Sequence, residues 1–574
     1  MIRTFILFGT VWFLLFSSAK ADSAHRDTLS IGITQFPSTF NPMIESMLAK
    51  SYILAMVRRP FVAFDQSWKL VCFLCERVPT VENGDAEVFT FKNGVLKGKR
   101  GIRVTWRFRK GAKWGDGQPI TVEDVIFAWK IGLHPLSGVA NREPFQRTIN
   151  IRKIDERTFV QTLNKVRFDY NQLVPDPMPA HLEVVNFEAP REYKRRTAYD
   201  RDSANPGLYS GPYRIAGIVS GSHVVLVPNR YWWGKKPHFR QIVVRVIGNT
   251  AALEANLRAG GIDYAAGELG LSPDQATSLR RRAGDRYTFI FKAGLIYEHI
   301  DFNLDNPILK DVRVRRALAY GMDRQLMSEK LFRGLQPVAN TNISPLDQVA
   351  ASDIRKYPFD PKKASALLDA AGWKRRDDGW RYNAQGERLT LKLITTSGNR
   401  NRELVSEILQ AYWRRLGIDI RLKAQPARIY FGRTVRQRQF PAMAMYAWIS
   451  APESVPRATL HSSHIPTAEN NWAGQNYPGF RNAEMDRLIE MLEVTVKLDG
   501  RLPIWKRIQQ IYAEELPALP LYFRANAFVI PRWLKGIRPT GHLNSSTLWV
   551  EEWYAAGERT VTDGGKTGGK RKRQ

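Results

Sequence analysis

Val104-Thr-Trp-Arg-Phe-Arg-Lys-Gly-Ala-Lys-Trp-Gly-Asp-Gly-Gln-Pro-Ile-Thr-Val-Glu-Asp-Val125 changes character twice within one stretch. Ile102 to Phe108 is β-rich, and Gly115-Asp116-Gly117 marks a tight turn. Thr121 then reads as a helix N-cap, with Asp124 three residues on in a near capping box. Val125, Ile126 and Trp129 give the following helix an apolar face. A strand feeding a turn and a capped helix is the unit from which α/β bodies are built.

The same alternation continues outward. Thr28 to Thr34 alternates as a strand, broken by Phe36-Pro37 and Asn41-Pro42, and Val88 to Phe91 is a further β segment. On the C-terminal side Asp323 caps a helix carrying Leu326, Met327, Lys330 and Leu331 that stops at Gly334. Asp360-Pro361 is an N-cap followed by proline at the first helical position, with Ala364, Leu367, Leu368 and Ala371 as the buried stripe and Gly372 as the stop. A strand at Leu389 to Ile394, a helix near Glu403 to Leu416 and a strand at Ile418 to Leu422 follow. Strands alternating with helices predict α/β lobes. At 574 residues the chain exceeds what one core organises, so two or more lobes are expected.

The N-terminus reads as a secretion signal over residues 1–21. Arg3 precedes an apolar run from Phe5 to Phe16, and Ala19-Lys20-Ala21 offers small residues for cleavage before Asp22. That run is too short to span roughly 30 Å of hydrocarbon as a helix. A soluble periplasmic product is therefore expected. The formal charge is +31, and losing Arg3 and Lys20 lowers it by two, to +29. Basic residues are spread along the chain except in a Gly- and Thr-rich tail, 557–574, expected to be a disordered, solubilising end rather than a nucleic-acid arm. The two cysteines, Cys72 and Cys75, stand C-x-x-C in what looks like a surface segment. A small structural disulfide is the leading reading in an oxidising compartment, with free thiols and redox or metal roles as alternatives.

Catalytic signatures are missing. No H-E-x-x-H or G-x-S-x-G occurs, and Gly565-Lys566-Thr567 lacks both the first glycine and the preceding strand of a phosphate loop. His461-Ser-Ser-His464 could bring two imidazoles together, but no acidic or Cys ligand stands at suitable spacing. A solvated loop is expected there, with no metal, no cofactor and no enzyme activity.

Five segments together resemble the extracytoplasmic solute-binding family 5, which serves peptide, nickel and related ABC importers. The first is the Val104–Val125 stretch. The second is Gly211-Pro-Tyr-Arg214 with Asn229-Arg-Tyr-Trp-Trp-Gly234 and Gly260-Gly-Ile-Asp263. The third is Phe302-Asn303 with Asp311-Val-Arg-Val-Arg-Arg-Ala-Leu-Ala319 and Asp323-Arg324. The fourth is Asp360-Pro to Ala371-Gly-Trp373, and the fifth Pro517-Ala-Leu-Pro-Leu-Tyr522. The resemblance covers about residues 27–554. It implies a two-lobed type II periplasmic-binding fold with an added subdomain. Lobe I would take 22–58, 206–285 and 525–556, the inserted subdomain 59–205, and lobe II 286–524.

The resemblance further implies a binding protein without chemistry of its own. It would be a monomer that delivers a peptide-like solute to ABC permease subunits, with no nucleic-acid partner. Nickel-chelate, haem, opine or oligosaccharide ligands stay open, as does a basic envelope-interaction or chaperone-like role. In peptide-binding relatives one strand edge follows the first strand's turn, matched here by Ile44, Glu45 and Ser46. The other edge surrounds a Trp and is followed by an Asp for the ligand's α-amine. Here it is Tyr446, Ala447, Trp448, Ile449 and Ser450, but Ala451 stands where that Asp is expected. Glu453 is the substitute considered. Asp116-Gly117 and Arg315 match the family as structural residues.

Overall fold

The structure is a computed structural model that describes residues 26–44, 47–139, 142–397, 399–426, 429–470, 472 and 474–556. The expected signal segment 1–21, the expected disordered tail 557–574, Glu45 and Ser46 lie outside the described residues.

A ten-stranded mixed sheet runs through the molecule. Its order is Asp419–Gln425, Thr390–Thr396, Met443–Ile449, Tyr287–Phe302, Ala518–Pro531, Tyr264–Ala265, Thr28–Ile33, Gln241–Val246, His223–Pro228 and Tyr213–Val219. Two long antiparallel strands, Tyr287–Phe302 and Ala518–Pro531, join its halves. Tyr287 to Ala293 pairs with Ala525 to Pro531 on the first lobe's side, and Ile296 to Asp301 pairs with Ala518 to Arg524 on the second's. Between them the register shifts at Ala293/Ile296, a bulge that bends the strand locally. Gly294 sits in this bulge, where a Cβ would lie 1.9 Å from the Gly541 carbonyl oxygen, so backbone packs directly on backbone. The expected lobe limit at 524/525 falls opposite the bulge, whereas the limit at 285/286 falls before the strand begins.

Each half has its own core. In the first lobe Leu29, Ile31 and Ile33 pack with Tyr52, Ile53 and Met56 of the helix Leu48–Val57. On the other sheet face, Leu253, Leu257, Ala276 and Leu279 from two helices cover Ala527 and Val529. In the second lobe Leu391, Leu393, Met443, Met445 and Leu519 pack against Val405, Leu409 and Trp413 of the helix Arg400–Arg415. The caps read from sequence act as expected. Asp323 accepts from the Leu326 amide at 2.8 Å and Asp360 from Lys363 at 2.9 Å.

The insertion is a four-stranded antiparallel sheet ordered Ala86–Thr90, Arg100–Arg107, Thr158–Leu163, Thr148–Lys153. Its core holds Phe61, Ile102, Val104, Trp106, Phe108, Trp114 and Phe159. The opening sequence stretch organises it. Trp114 donates its indole N–H to Asp124 Oδ2 at 3.2 Å, and the Thr121 and Ala180 amides donate to the same carboxylate. Asp124 is therefore structural. Residues beyond this sheet, including Met178, Tyr193 and Tyr199, pack into the first lobe's core instead.

The structure joins Cys72 and Cys75 in a disulfide. The expected surface setting fails for Cys75, which is buried against Phe61 and Leu74. The expected solvated loop at His461 also fails. His461 is buried, with Asp486 3.8 Å from Nδ1 and Glu490 3.4 Å from Nε2. Acidic partners that are remote in sequence arrive on the helix Ala483–Val494. Among the described residues no group of three metal-ligating side chains forms.

Candidate functional site

The strand Met443–Ile449 has two neighbours of unequal length. Thr390–Thr396 pairs only with Met443 to Met445, whereas Tyr287–Phe302 pairs along the whole strand. The Ser450 amide donates to the Leu295 carbonyl, and the register sets Trp448 opposite Tyr297 and Tyr446 opposite His299. Antiparallel pairing alternates, so Tyr446 and Trp448 turn their backbone groups inward. Ala447 and Ile449 turn theirs outward, along an edge that no strand covers among the described residues. This is the arrangement expected for strand addition.

Behind that edge lies a cluster of rings and acids. Tyr297, His299 and Asp301 alternate along one strand and so share a face. His299 stacks on Tyr297 with centroids 4.7 Å apart, and Tyr297 shares a hydrogen bond with Tyr512 at 2.8 Å. The Tyr446 hydroxyl donates to Asp301, which also lies 3.3 Å from His299 Nε2. Burial, reinforced by the Asp301 charge, raises the Tyr446 phenol, which therefore stays protonated and donating. Trp448 stacks on Tyr477 at 5.9 Å. Tyr297, His299, Asp301 and Tyr512, with Asn342, Ser344, Asp347 and the run Trp448 to Ala451, line a cavity of about 170 Å³.

Two larger spaces open between the bodies. One, of about 600 Å³, has Phe64, Trp68, Phe168 and Asn171 of the insertion on one wall, and Asp347, Glu453 and Arg501 of the second lobe on the other. The second, of about 660 Å³, lies between Leu48, Thr250 and Glu268 of the first lobe and Phe332, Asn399 and Arg400 of the second, above Arg524 of the long strand. Arg524 and Arg402 both pair with the fully buried Glu298. Burial opposes ionisation of Glu298, but the two guanidiniums outweigh it and hold its carboxyl below the usual range.

The sequence-derived residues divide accordingly. Trp448, Ile449 and Ser450 line the smaller cavity, Ala447 contributes edge backbone, and Tyr446 is buried beneath. Ile44 does not present a free edge. Its side chain is in the first lobe's core, its backbone bridges Val139, and its carbonyl accepts from Lys50 Nζ. Glu453 is not a free counter-charge. Its carboxylate meets Arg501 Nη2 at 2.7 Å and accepts from the Gln348 amide, and it faces the 600 Å³ space. Asp347, missed in the sequence, stands beside both cavities. Nothing in Ser344-Pro-Leu-Asp347 marks it, because a loop carries no periodicity. Tyr297, His299 and Asp301 were legible in principle as polar and aromatic residues spaced by two.

Comparison with known proteins places this arrangement. A sequence profile for the bacterial extracellular solute-binding proteins, family 5 Middle, matches residues 99–465. The oligopeptide-binding protein AppA of Bacillus subtilis is 24% identical over 563 residues, covering 94% of each chain. The nickel-binding periplasmic protein of Escherichia coli is 24% identical, covering 76% of this chain and 78% of its own. The crystal structure of an oligopeptide-binding protein from Thermus thermophilus with a pentapeptide superposes with a TM-score of 0.76 at 28% identity, covering 92% of this chain and 96% of that one.

Proposed function

Because the chain belongs to the bacterial extracellular solute-binding proteins of family 5, we propose that it is the substrate-binding component of an ABC importer for a peptide or peptide-like solute. The observation that carries this reading is the pair of spaces, about 600 and 660 Å³, each walled by both bodies. Ligand sites form at such junctions. Main-chain groups at Ala447 and Ile449 suit a ligand that offers its own backbone, which gives affinity indifferent to side-chain identity. Closure stabilises the complex only by the ligand's differential affinity for the closed form. The lobes divide at the bulge near Ala293–Ile296 and at Arg524/Ala525. The protein acts as a monomer in the periplasm after removal of residues 1–21, and releases its guest unaltered to the permease.

Native mass spectrometry of protein purified from its own periplasm tests this. A mass increment that denaturation releases as an intact peptide supports the reading. A metal chelate or saccharide would redirect it within the family. A guest converted on the protein would overturn it, as would binding confined to anionic lipid with steep salt dependence.

A further inference from the structure

Asp347 is buried, and among the described residues its carboxylate accepts backbone hydrogen bonds alone, from Glu453 at 3.0 Å, from Val349 at 3.3 Å and from the Gln348 amide. No Lys, Arg or His lies within ion-pair distance of it among the described residues. The nearest other charge, Glu453, is already matched by Arg501. Burial pushes the Asp347 carboxyl up, and the Glu453 and Val349 amides only partly offset this. A buried carboxylate without a cation is costly unless something else supplies the charge. Asp347 lines both the 170 Å³ cavity beside Trp448 and the 600 Å³ interlobe space, so a guest entering from the cleft reaches it.

The rest of that cavity points the same way. Asn342 Oδ1 is buried without a donor. Asp301 is already occupied by Tyr446 and His299. The Ser344 hydroxyl oxygen accepts from the Leu346 amide at 3.3 Å. The lining thus offers spare acceptors and negative charge, and what satisfies it is a positively charged donor. The space admits one terminal group or side chain rather than a whole peptide.

We propose that Asp347, with Asn342 as second acceptor, binds the ammonium group of the carried solute in the cavity beside Trp448. The assignment rests on the solute-binding reading above and narrows it to amine-bearing guests. It also gives the ligand's positive end a partner that Ala451 does not provide.

The test uses the full protein and a set of short peptides with neutral side chains, each made with a free amino terminus and as its N-acetyl form. Calorimetry should show the free forms bound at least about tenfold tighter, as expected for a charge-assisted hydrogen bond. Asp347→Asn should reduce the free forms to the affinity of the acetylated ones. Asn342→Ala removes an oxygen that the fold does not use, so it should fold normally and narrow the same preference. It decides the matter should Asp347→Asn fail to fold. Equal affinity of both forms for the unaltered protein overturns the assignment and leaves the transport reading standing, as does an unchanged preference in the variants. If neither form binds, the peptide reading falls and the assignment falls with it.

Discussion

Replacing Glu493 by Gln should loosen the contact between the inserted sheet and the second lobe. Glu493 is 1% exposed and meets Lys165 Nζ at 2.7 Å and Arg167 Nη1 at 3.5 Å, both from the insertion. Within its own lobe it meets Arg457 at 2.5 Å. Its carbonyl accepts from the Phe168 amide, and nearby Val496 packs on the insertion's core. Burial alone would raise the carboxyl. Hydrogen bonds from Arg457 and Lys165, with the charge of Arg167, outweigh burial and hold it at about 2 against the usual 4.5. At 1.36 kcal/mol per pH unit this favours the ionised form by about 3 kcal/mol. Arg457 stays beside Glu493 whether or not the bodies touch, so the share that depends on their contact is about 1–2 kcal/mol. That corresponds to a 5–30-fold rise, roughly, in the separated population. The folded value is depressed, so this contribution is present above about 4.5 and is lost as pH falls from there through about 2. Spin labels at the exposed Val95 and Gln385 would report the distance between insertion and second lobe. Glu493→Gln should broaden that distance at pH 7, Lys165→Met should do so less, and the parent should drift toward the variant on acidification. An unchanged distribution in Glu493→Gln at pH 7 would refute the reasoning.

Glu183 is fully buried and pushed up to about 7 by desolvation, which the Ala198 amide only partly offsets. The folded value is raised, so stability is highest below about 4.5 and is lost as pH rises through about 7. Glu183→Gln should therefore recover up to about 3 kcal/mol at pH 8 and little at pH 4 by urea unfolding, and an equal gain at both would sink the idea. Reducing the Cys72–Cys75 disulfide, or replacing both by Ser, should cost about 2 kcal/mol because the closed loop is short. Matched unfolding midpoints with and without reductant would contradict that. Gly294→Ala should destabilise by about 1–3 kcal/mol, since its Cβ meets the Gly541 backbone rather than a movable side chain. It should also alter the scattering radius, and a silent substitution would show that the crossing tolerates separation.

What was legible in the sequence is what local chemistry dictates. Thr121 with Asp124, and Asp360 with Pro361, specify helix starts because the hydrogen bonds involved span only three residues. The Trp448 strand was recognisable only through its resemblance to the Trp-centred edge of peptide-binding relatives, since Met443–Ile449 is apolar throughout and carries no alternation. The lobe limit expected at 285/286 came from the resemblance, and within Tyr287–Phe302 only Gly294 interrupts a strand that pairs on both sides of the bulge. Ile44 was singled out by resemblance to peptide-binding relatives, and nothing local announces its bridge to Val139. Glu453 gave no sign of its pairing with Arg501, and His461 none of Asp486 and Glu490, since those partners lie well along the chain. Asp347 is invisible for the same reason. A residue's lack of a partner is a property of the folded neighbourhood, and composition cannot express it.

The two long strands behave as a leaf spring clamped at both ends. Their mutual hydrogen bonds resist sliding, so any approach of the bodies is expected to flex the pair at the bulge, where Gly541 packs on Gly294. Movement is thereby reduced to nearly one angle. A membrane receptor need sense only that angle to distinguish a loaded carrier from an empty one, whatever the cargo's sequence.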